Sequence, residues 1–173
     1  MSDAFVIRRA SPDEIDEMVA IDVDACTLYV EAGLDADIGP EHPYSVAERA
    51  CWTRCAREGS AFVAGRPGAP PVGLLVMDRI DGAAYLEQLS VRRTGMRQGL
   101  GRRLLDRAIE WAGGEPLWLT TYGHIPWNRP FYERHGFVTV PESASPPGIV
   151  AILDDQRRAL PAPSERIAMR RAV

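Results

Sequence analysis

Apolar and polar residues follow one another along the chain in two distinct periods, which predict a succession of strands and helices. Alternating or continuous apolar runs predict strands at residues 5–9, 61–64, 72–80, 83–91, 117–122 and 137–140, and a final strand near 166–170. Apolar positions at helical spacing predict helices from Ser11 to about Val23, over 45–57, over 99–112 and near 128–135. A proline-rich loop at 141–148 and a further short helix precede the final strand. The succession predicts a single α/β unit.

The helix predicted over 99–112 opens directly from a glycine-bearing basic turn. The first amides of a helix lack carbonyl partners and lie at the positive end of its dipole, so this junction favours an anion. Gly99 and Gly101 let the backbone approach that anion. Nearby positive charge comes from Arg97, Arg102 and Arg103. We expect the anion to be a pyrophosphate. The stripe of this helix that faces the core is predicted to be Leu100, Leu104, Leu105, Ala108 and Trp111.

Two common phosphate-binding patterns do not fit the turn. A P-loop needs a lysine followed by serine or threonine, and the chain contains no lysine. The dinucleotide pattern G-x-G-x-x-G, starting at Gly99, would need a glycine where Leu104 stands. A nucleotide-binding module therefore remains a rival interpretation. Comparing the shift in melting temperature caused by CoA with that caused by ATP or NAD would distinguish the two kinds of module.

Three segments resemble the GNAT superfamily of acyl-CoA-dependent N-acetyltransferases. The family pattern Q/R-x-x-G-x-G/A, which opens a helix, matches here with Gly99 and Gly101, although Met96 occupies the Q/R position and Arg93 stands where proline is common. The segment from Asn128 through Tyr132 to the pair Gly136-Phe137 resembles the family's N-x-x-x-x-Y-x-x-x-GF. The end of the chain, 166–170, is similar to the family's closing strand. The matches stand in the right order and span about residues 5–172 of a domain expected to cover residues 1–173.

The resemblance implies the GNAT fold: a mixed, mostly antiparallel sheet flanked by helices, whose fourth and fifth strands splay apart. Pantetheine would fill the gap, with its amides pairing the backbone groups that the splay leaves open. It also implies acetyl-CoA as acyl donor. The expected contacts to this cofactor are Leu89, Ser90, Val91, Met96, Arg97, Gln98, Gly99, Leu100, Gly101, Arg102, Asn128 and Tyr132.

The implied activity is transfer of the acetyl group to a primary amine by direct attack in a ternary complex. Tyr132 matches the family tyrosine that protonates the leaving thiolate, although a packing role is also open. Glu87, on the fourth strand, is the candidate general base; the alternative is an ion pair with an arginine across the sheet. The Val91 amide is the expected oxyanion donor. Asn128 either binds the pantetheine arm or caps a helix.

The acceptor amine is not identified by the sequence. Residues 10–48 contain eleven acidic side chains and no arginine, which indicates either a solvated face or an acidic lip that attracts a cationic amine. Residues expected near the acceptor are Tyr29, Glu31, Thr121, Tyr122 and His124, with His42, Tyr44 and Trp52 as further candidates. A non-catalytic acyl-CoA-binding or regulatory module on the same fold remains the alternative function.

Composition narrows the remaining classes. The 173 residues carry a net charge of −4, with 46% hydrophobic and 25% charged residues, as in ordinary globular proteins. No export signal or membrane-spanning run is visible, so we expect a cytoplasmic protein that binds neither membrane nor nucleic acid, as monomer or homodimer. Cys26, Cys51 and Cys55 are expected to be thiols and no metal is expected, although Cys51 and Cys55 lie one helical turn apart and could hold a soft metal.

Overall fold

A computed structural model describes residues 4–35 and 38–173 of the chain, and its strands form one seven-stranded sheet in the order β1-β2-β3-β4-β5-β7-β6. The strands are β1 Val6–Arg9, β2 Ala61–Gly65, β3 Gly73–Ile80, β4 Ala83–Val91, β5 Leu117–Tyr122, β6 Phe137–Val140 and β7 Arg166–Arg171. The α-helices are α1 Ile15–Glu31, α2 Pro43–Glu58, α3 Leu100–Ala112, α4 Arg129–Glu133 and α5 Pro147–Ala159. Strands β4 and β5 are parallel and every other neighbouring pair is antiparallel. The predicted mixed sheet flanked by helices is confirmed.

Helices cover both faces of the sheet. Leu100, Leu104, Leu105 and Ala108 of α3 are buried against one face, as the amphipathic pattern predicts, whereas Trp111 is only partly buried. The other face carries α1 and α2 over β2 and β3, and α5 over β4 and β5. The functional surface must therefore lie where these layers leave a gap.

Strands β4 and β5 separate halfway along their length, as the resemblance predicts. Their parallel pairing begins at Ala84 with Leu117 and ends at Leu86 with Leu119, although β4 continues to Val91. The Arg92 amide donates to the Val72 oxygen at 2.7 Å, toward β3. Because successive residues of a strand direct their backbone groups to opposite sides, those of Leu89 and Val91 point to the open side.

A β-bulge marks the point where the two strands part. The β3–β4 register runs from Val76 opposite Gln88 to Met77 opposite Leu86, so Glu87 is the extra residue. Leu86 and Leu89 pack into the core under α3, whereas Glu87 and Gln88 both face the side of α1, α2 and α5. The bulge thus directs two successive polar side chains to one face.

Two helices differ from the pattern-based expectation. α5 has thirteen residues and begins inside the stretch expected to be a loop, because Pro147 occupies its first turn, where proline needs no amide partner. Ile149 and Leu153 pack it against Tyr85 and Trp118. α1 continues to Glu31, beyond the end expected near Val23. Its apolar face passes through Ile21, which is fully buried, whereas Val23 is 60% exposed.

Across the described residues, each helix is too short or too polar to cross a lipid bilayer.

Candidate active site

The β4–α3 junction has the geometry of an anion cradle. Gly99 is the N-cap of α3 with φ +76°, and Arg97 also has a positive φ, so the turn curls tightly before the helix begins. A Cβ built on Gly101 would meet only the Phe131 ring, at 3.9 Å, and one built on Gly99 would meet nothing within 4 Å. Packing within the protein therefore does not demand glycine at position 101. Open space beside free helix amides fits a pyrophosphate.

The other residues expected at the cofactor differ in how far they face this cradle. Leu100 is buried, Met96 packs against the core, and the Arg102 side chain is exposed near Asp106. The side-chain amide of Gln98 donates from Nε2 to the backbone oxygen of Thr94 at 2.9 Å, which stabilises the turn itself. These residues therefore present backbone amides, and not polar side chains, to the cradle. Met96 in particular contributes an apolar side chain to the core.

Tyr132, Asn128 and Tyr29 meet beside the open edge of β4. The Asn128 amide donates to the Tyr29 hydroxyl at 2.9 Å and makes no side-chain cap to α4, although Asn128 occupies the N-cap position. Tyr132 packs against Phe131 and Phe137. The Tyr132 hydroxyl has no hydrogen-bond partner among the residues that the structure describes. A phenol is protonated at neutral pH, and burial raises the pKa of Tyr132 further.

Glu87 is half-buried on the face of β4 that carries α2 and α5. The cross-sheet ion pair is absent from the described part of the chain, since Arg54 instead binds Asp78, with Nη2 2.6 Å from Oδ2. Burial raises the pKa of Glu87 to about 7, assisted by the charge of Asp78 and opposed by that of Arg54. A carboxylate with this pKa can take up and release a proton near neutrality.

Glu87 lies at one wall of a cavity of about 420 Å³ between α2 and α5. Residues spaced by helical turns line it from both helices: Tyr44, Ala47, Glu48 and Cys51 from α2, and Ile152, Asp155, Gln156 and Ala159 from α5. Burial, together with the charges of Asp22 and Glu87, raises the pKa of Glu48 to about 8, and Arg166 opposes the rise. Sequence reasoning proposed Tyr44 but missed Glu48 and all of α5.

The residues expected near the acceptor form two groups. Tyr29 and Tyr122 lie with ring centroids 5.9 Å apart, and His124 meets the Tyr122 ring edge-on at 5.7 Å. His124 Nδ1 also lies 3.7 Å from Glu165 Oε2. The structure thus brings three of the expected residues together beside Asn128.

The other expected residues lie apart from that group. Glu31 forms a surface ion pair with Arg93, and Thr121 is buried opposite Ile167 in β7. Trp52 is buried in the core between α1, α2 and the sheet. His42 caps α2, where its Nδ1 accepts the Tyr44 amide at 3.1 Å, and it also lines the mouth of the cavity.

Two buried polar groups were not foreseen. Asp22 of α1 accepts hydrogen bonds from the Ser90 hydroxyl at 2.6 Å and from the Gln88 amide at 2.7 Å. Ser90, expected at the cofactor, therefore turns its side chain toward α1. Arg166 of β7 donates to Gln156 Oε1 at 2.6 Å and lies 4.5 Å above the Tyr122 ring. Neither partner is near in sequence, so no local pattern indicates these contacts.

The three cysteines are all thiols. Cys51 Sγ, Cys55 Sγ and a carboxylate oxygen of Asp78 lie within 4.8 Å of one another, a spacing that could hold a soft metal ion. Arg54 already binds Asp78 and donates to Cys51 Sγ at 3.6 Å. A cation would have to displace this guanidinium, so the cluster fits a metal poorly.

Comparison with known proteins decides the family. Residues 24–137, which are 114 of the 173, match the family model described as "Acetyltransferase (GNAT) family". The chain belongs to the GNAT acetyltransferase family. It is thus a member of an acetyl-CoA-dependent acyltransferase family, and the predicted membership of the GNAT superfamily is confirmed.

Solved structures agree with the GNAT fold. The PaiA N-acetyltransferase of Thermoplasma acidophilum, in complex with coenzyme A, is 14% identical over 98% of this chain and 99% of that chain, with a TM-score of 0.69. A GNAT acetyltransferase of Staphylococcus aureus Mu50 is 16% identical over 97% and 98%, with a TM-score of 0.69. N-acetylglutamate synthase of Neisseria gonorrhoeae, complexed with coenzyme A and N-acetyl-glutamate, is 19% identical with a TM-score of 0.64; the match covers 99% of this chain but 35% of that one. These likenesses show the fold.

Proposed function

We propose that this protein transfers the acetyl group of acetyl-CoA to a primary amine by direct attack in a ternary complex. The observation that carries the proposal is the open side of β4 beyond Leu86, which runs straight into the glycine cradle at the start of α3. A ligand with an amide-bearing arm and a pyrophosphate fits such a path. Two coenzyme A complexes among the structural neighbours support the same ligand.

The residues along this path divide the binding among them. The amides around Gly99 and Gly101 hold the pyrophosphate, and the outward backbone groups of Leu89 and Val91 pair with the pantetheine arm. Asn128, fixed by Tyr29, offers a further polar contact to the arm. Acetyl-CoA supplies the acetyl group as a thioester, and CoA leaves as a free thiol.

Proton transfers then frame the reaction. Glu87, directly or through a water, takes a proton from the acceptor ammonium, which makes the amine a nucleophile. The Val91 amide donates to the thioester oxygen as negative charge develops there. Tyr132 gives its proton to the leaving sulfur, since a phenol is protonated at neutral pH.

An acyl-enzyme step is not part of the proposal. Cys51 is the cysteine that lines the cavity beside Glu87. Its hydrogen bond with Cys55, followed by burial, raises the pKa of Cys51, so it is a thiol and a weak nucleophile.

Release of free thiol from acetyl-CoA, measured with a mixed panel of amines, tests the proposal. We expect amine-dependent release, and mass spectrometry should find one acetyl group on the consumed amine. Tight binding of CoA without release for any amine would instead indicate a non-catalytic acyl-CoA-binding module. Failure to bind CoA would remove the proposal altogether.

A further inference from the structure

The cavity between α2 and α5 is larger than one reacting ammonium needs. Its volume of about 420 Å³ lies within the range of small-molecule sites. Ala47 faces it from α2, and Ile152 and Ala159 face it from α5, so much of its wall is apolar. An acceptor with a hydrocarbon body fits this wall.

Two carboxylates of the cavity have no counter-ion within the described residues. Glu48 and Glu87 take part in none of the ion pairs or hydrogen bonds found there. The charges of Asp22 and Glu87 raise the pKa of Glu48, and the charge of Asp78 raises the pKa of Glu87. Asp155, at the rim, is already paired with Arg158. Arg158, the partner of Asp155, also lines the cavity. Arg166 lies farther in, and its Nε and Nη2 atoms both donate to Gln156.

Unpaired buried carboxylates destabilise a fold unless a ligand supplies the missing positive charge. Glu48 and Glu87 both line the cavity and are both half-buried, and Glu48 lies one helical turn from Tyr44. Each of the two carboxyl groups can bind one ammonium group, and a bound ammonium favours the ionised carboxylate. A carboxylate on the acceptor would instead lie against acidic side chains.

We propose that the acceptor is an unbranched diamine, whose reacting ammonium meets Glu87 and whose second ammonium binds Glu48. This inference rests on the proposed acetyl transfer and names its acceptor class. The methylene chain lies along Ala47, Ile152 and Ala159. One ammonium is acetylated and the other stays charged against Glu48.

The transfer balances in atoms and charge. The amine nitrogen forms a bond to the carbonyl carbon, and the carbon–sulfur bond breaks. Glu87 takes the first ammonium proton and releases it to solvent, and the nitrogen loses its second proton to solvent as the carbon–sulfur bond breaks. The sulfur takes the proton of Tyr132, and Tyr132 recovers a proton from solvent. The products are the monoacetylated diamine, free CoA and one proton. Because the amide end is neutral, the product leaves Glu87 without a cation and binds more weakly than the substrate.

Matched acceptors test the inference. We would compare diaminobutane, butylamine and aminobutanoate by kcat/KM, and repeat the comparison with the propane and hexane series. A hydrogen-bonded charge partner contributes about 1.5–3 kcal/mol, so at one chain length the diamine should exceed its monoamine by roughly 10- to 100-fold. The amino acid should be the poorest of the three.

Glu48→Gln should reduce the diamine-to-monoamine ratio toward one, with CoA affinity unchanged by calorimetry. Glu58→Gln, on the exposed end of the same helix, is the matched control and should keep the wild-type ratio. A melting temperature for each variant separates misfolding from lost recognition.

The outcomes distinguish the inference from the function on which it rests. No transfer to any amine overturns the proposed function. Transfer that favours monoamines or amino acids at every chain length, or a diamine preference that survives Glu48→Gln, leaves acetyl transfer intact and overturns the diamine proposal.

Discussion

Burial acts on Glu87 and Tyr132 in the same direction but with different chemical consequences. It raises the pKa of Glu87 to about 7, which makes this carboxylate a base strong enough to compete for a proton near neutrality. It also raises the pKa of Tyr132, whose phenol is protonated at neutral pH with or without that shift. The same physical cause therefore brings the carboxyl group to the edge of ionisation at neutral pH and leaves the phenol uncharged.

Glu87→Gln removes the base without changing the size of the side chain. We expect lower turnover, with the largest loss near neutral pH, and partial rescue at high pH because more of the amine then arrives neutral. The wild-type rate should rise through about pH 7 as Glu87 ionises. The pH–rate profiles of both proteins measure this.

The same variant distinguishes catalysis from structure. Glu87 has no ion-pair partner in the described residues, so its replacement should not lower the melting temperature above pH 7. Wild-type turnover at every pH would remove Glu87 from the mechanism and direct attention to His124 or a bound water.

Tyr132→Phe keeps the ring packed against Phe131 and Phe137 and removes only the hydroxyl. Turnover should fall by roughly 10- to 1000-fold with little change in CoA affinity, because the proton donor acts on the leaving sulfur. Steady-state kinetics and calorimetry measure the two quantities. An unchanged turnover would mean that another group protonates the thiolate.

The elements that build the cradle are those with the strongest sequence periods. β4, β5 and β6 begin and end where their patterns predict, and α3 begins one residue later. α5 was underestimated because its start is rich in proline and glycine. The cavity could not be predicted, since its walls come from α2 and α5, and their approach depends on tertiary packing alone. The bulge was equally hidden, because a bulge is a relation between two strands.

At the junction of β4 and α3, Gly101→Val tests the cradle. The nearest protein atom to a Cβ there is 3.9 Å away, so the fold should accept the side chain while the pyrophosphate loses its space. CoA affinity by calorimetry should fall strongly with little change in melting temperature. Glu110→Val, on the exposed face of α3 and in its last turn, controls for a β-branched residue in this helix. Wild-type affinity in Gly101→Val would place the pyrophosphate elsewhere.

For the whole molecule, the buried acids set the dependence of stability on pH. Glu48 and Glu87 have folded-state pKa values of about 8 and about 7, above the ordinary value of 4.5 that they regain on unfolding. The folded protein therefore binds more protons than the unfolded chain between these values. The stability that this supplies is fully present below about pH 4.5 and is lost as pH rises through about 7 and then 8.

We therefore expect the melting temperature to fall from about pH 5 to about pH 9, each unit of pKa difference corresponding to about 1.4 kcal/mol at most. Glu48→Gln should flatten the upper part of this slope, whereas Glu58→Gln should not. Calorimetric scans across that range measure it. A melting temperature that rises steadily with pH would contradict the assigned burial of both carboxylates.

The bulge in β4 has a consequence for how this site can change. Without Glu87, the order Leu86, Gln88, Leu89 would be a regular alternation of inward and outward side chains. Glu87 is thus the extra residue between two regularly alternating halves of β4, and it occupies no position in the core under α3. Before Glu87 the even-numbered residues of β4 face α3, and after it the odd-numbered residues do, so Glu87 lies where the alternation changes. Its identity can vary without a hole opening in the core, so the chemistry at this point is uncoupled from the pattern that folds the sheet.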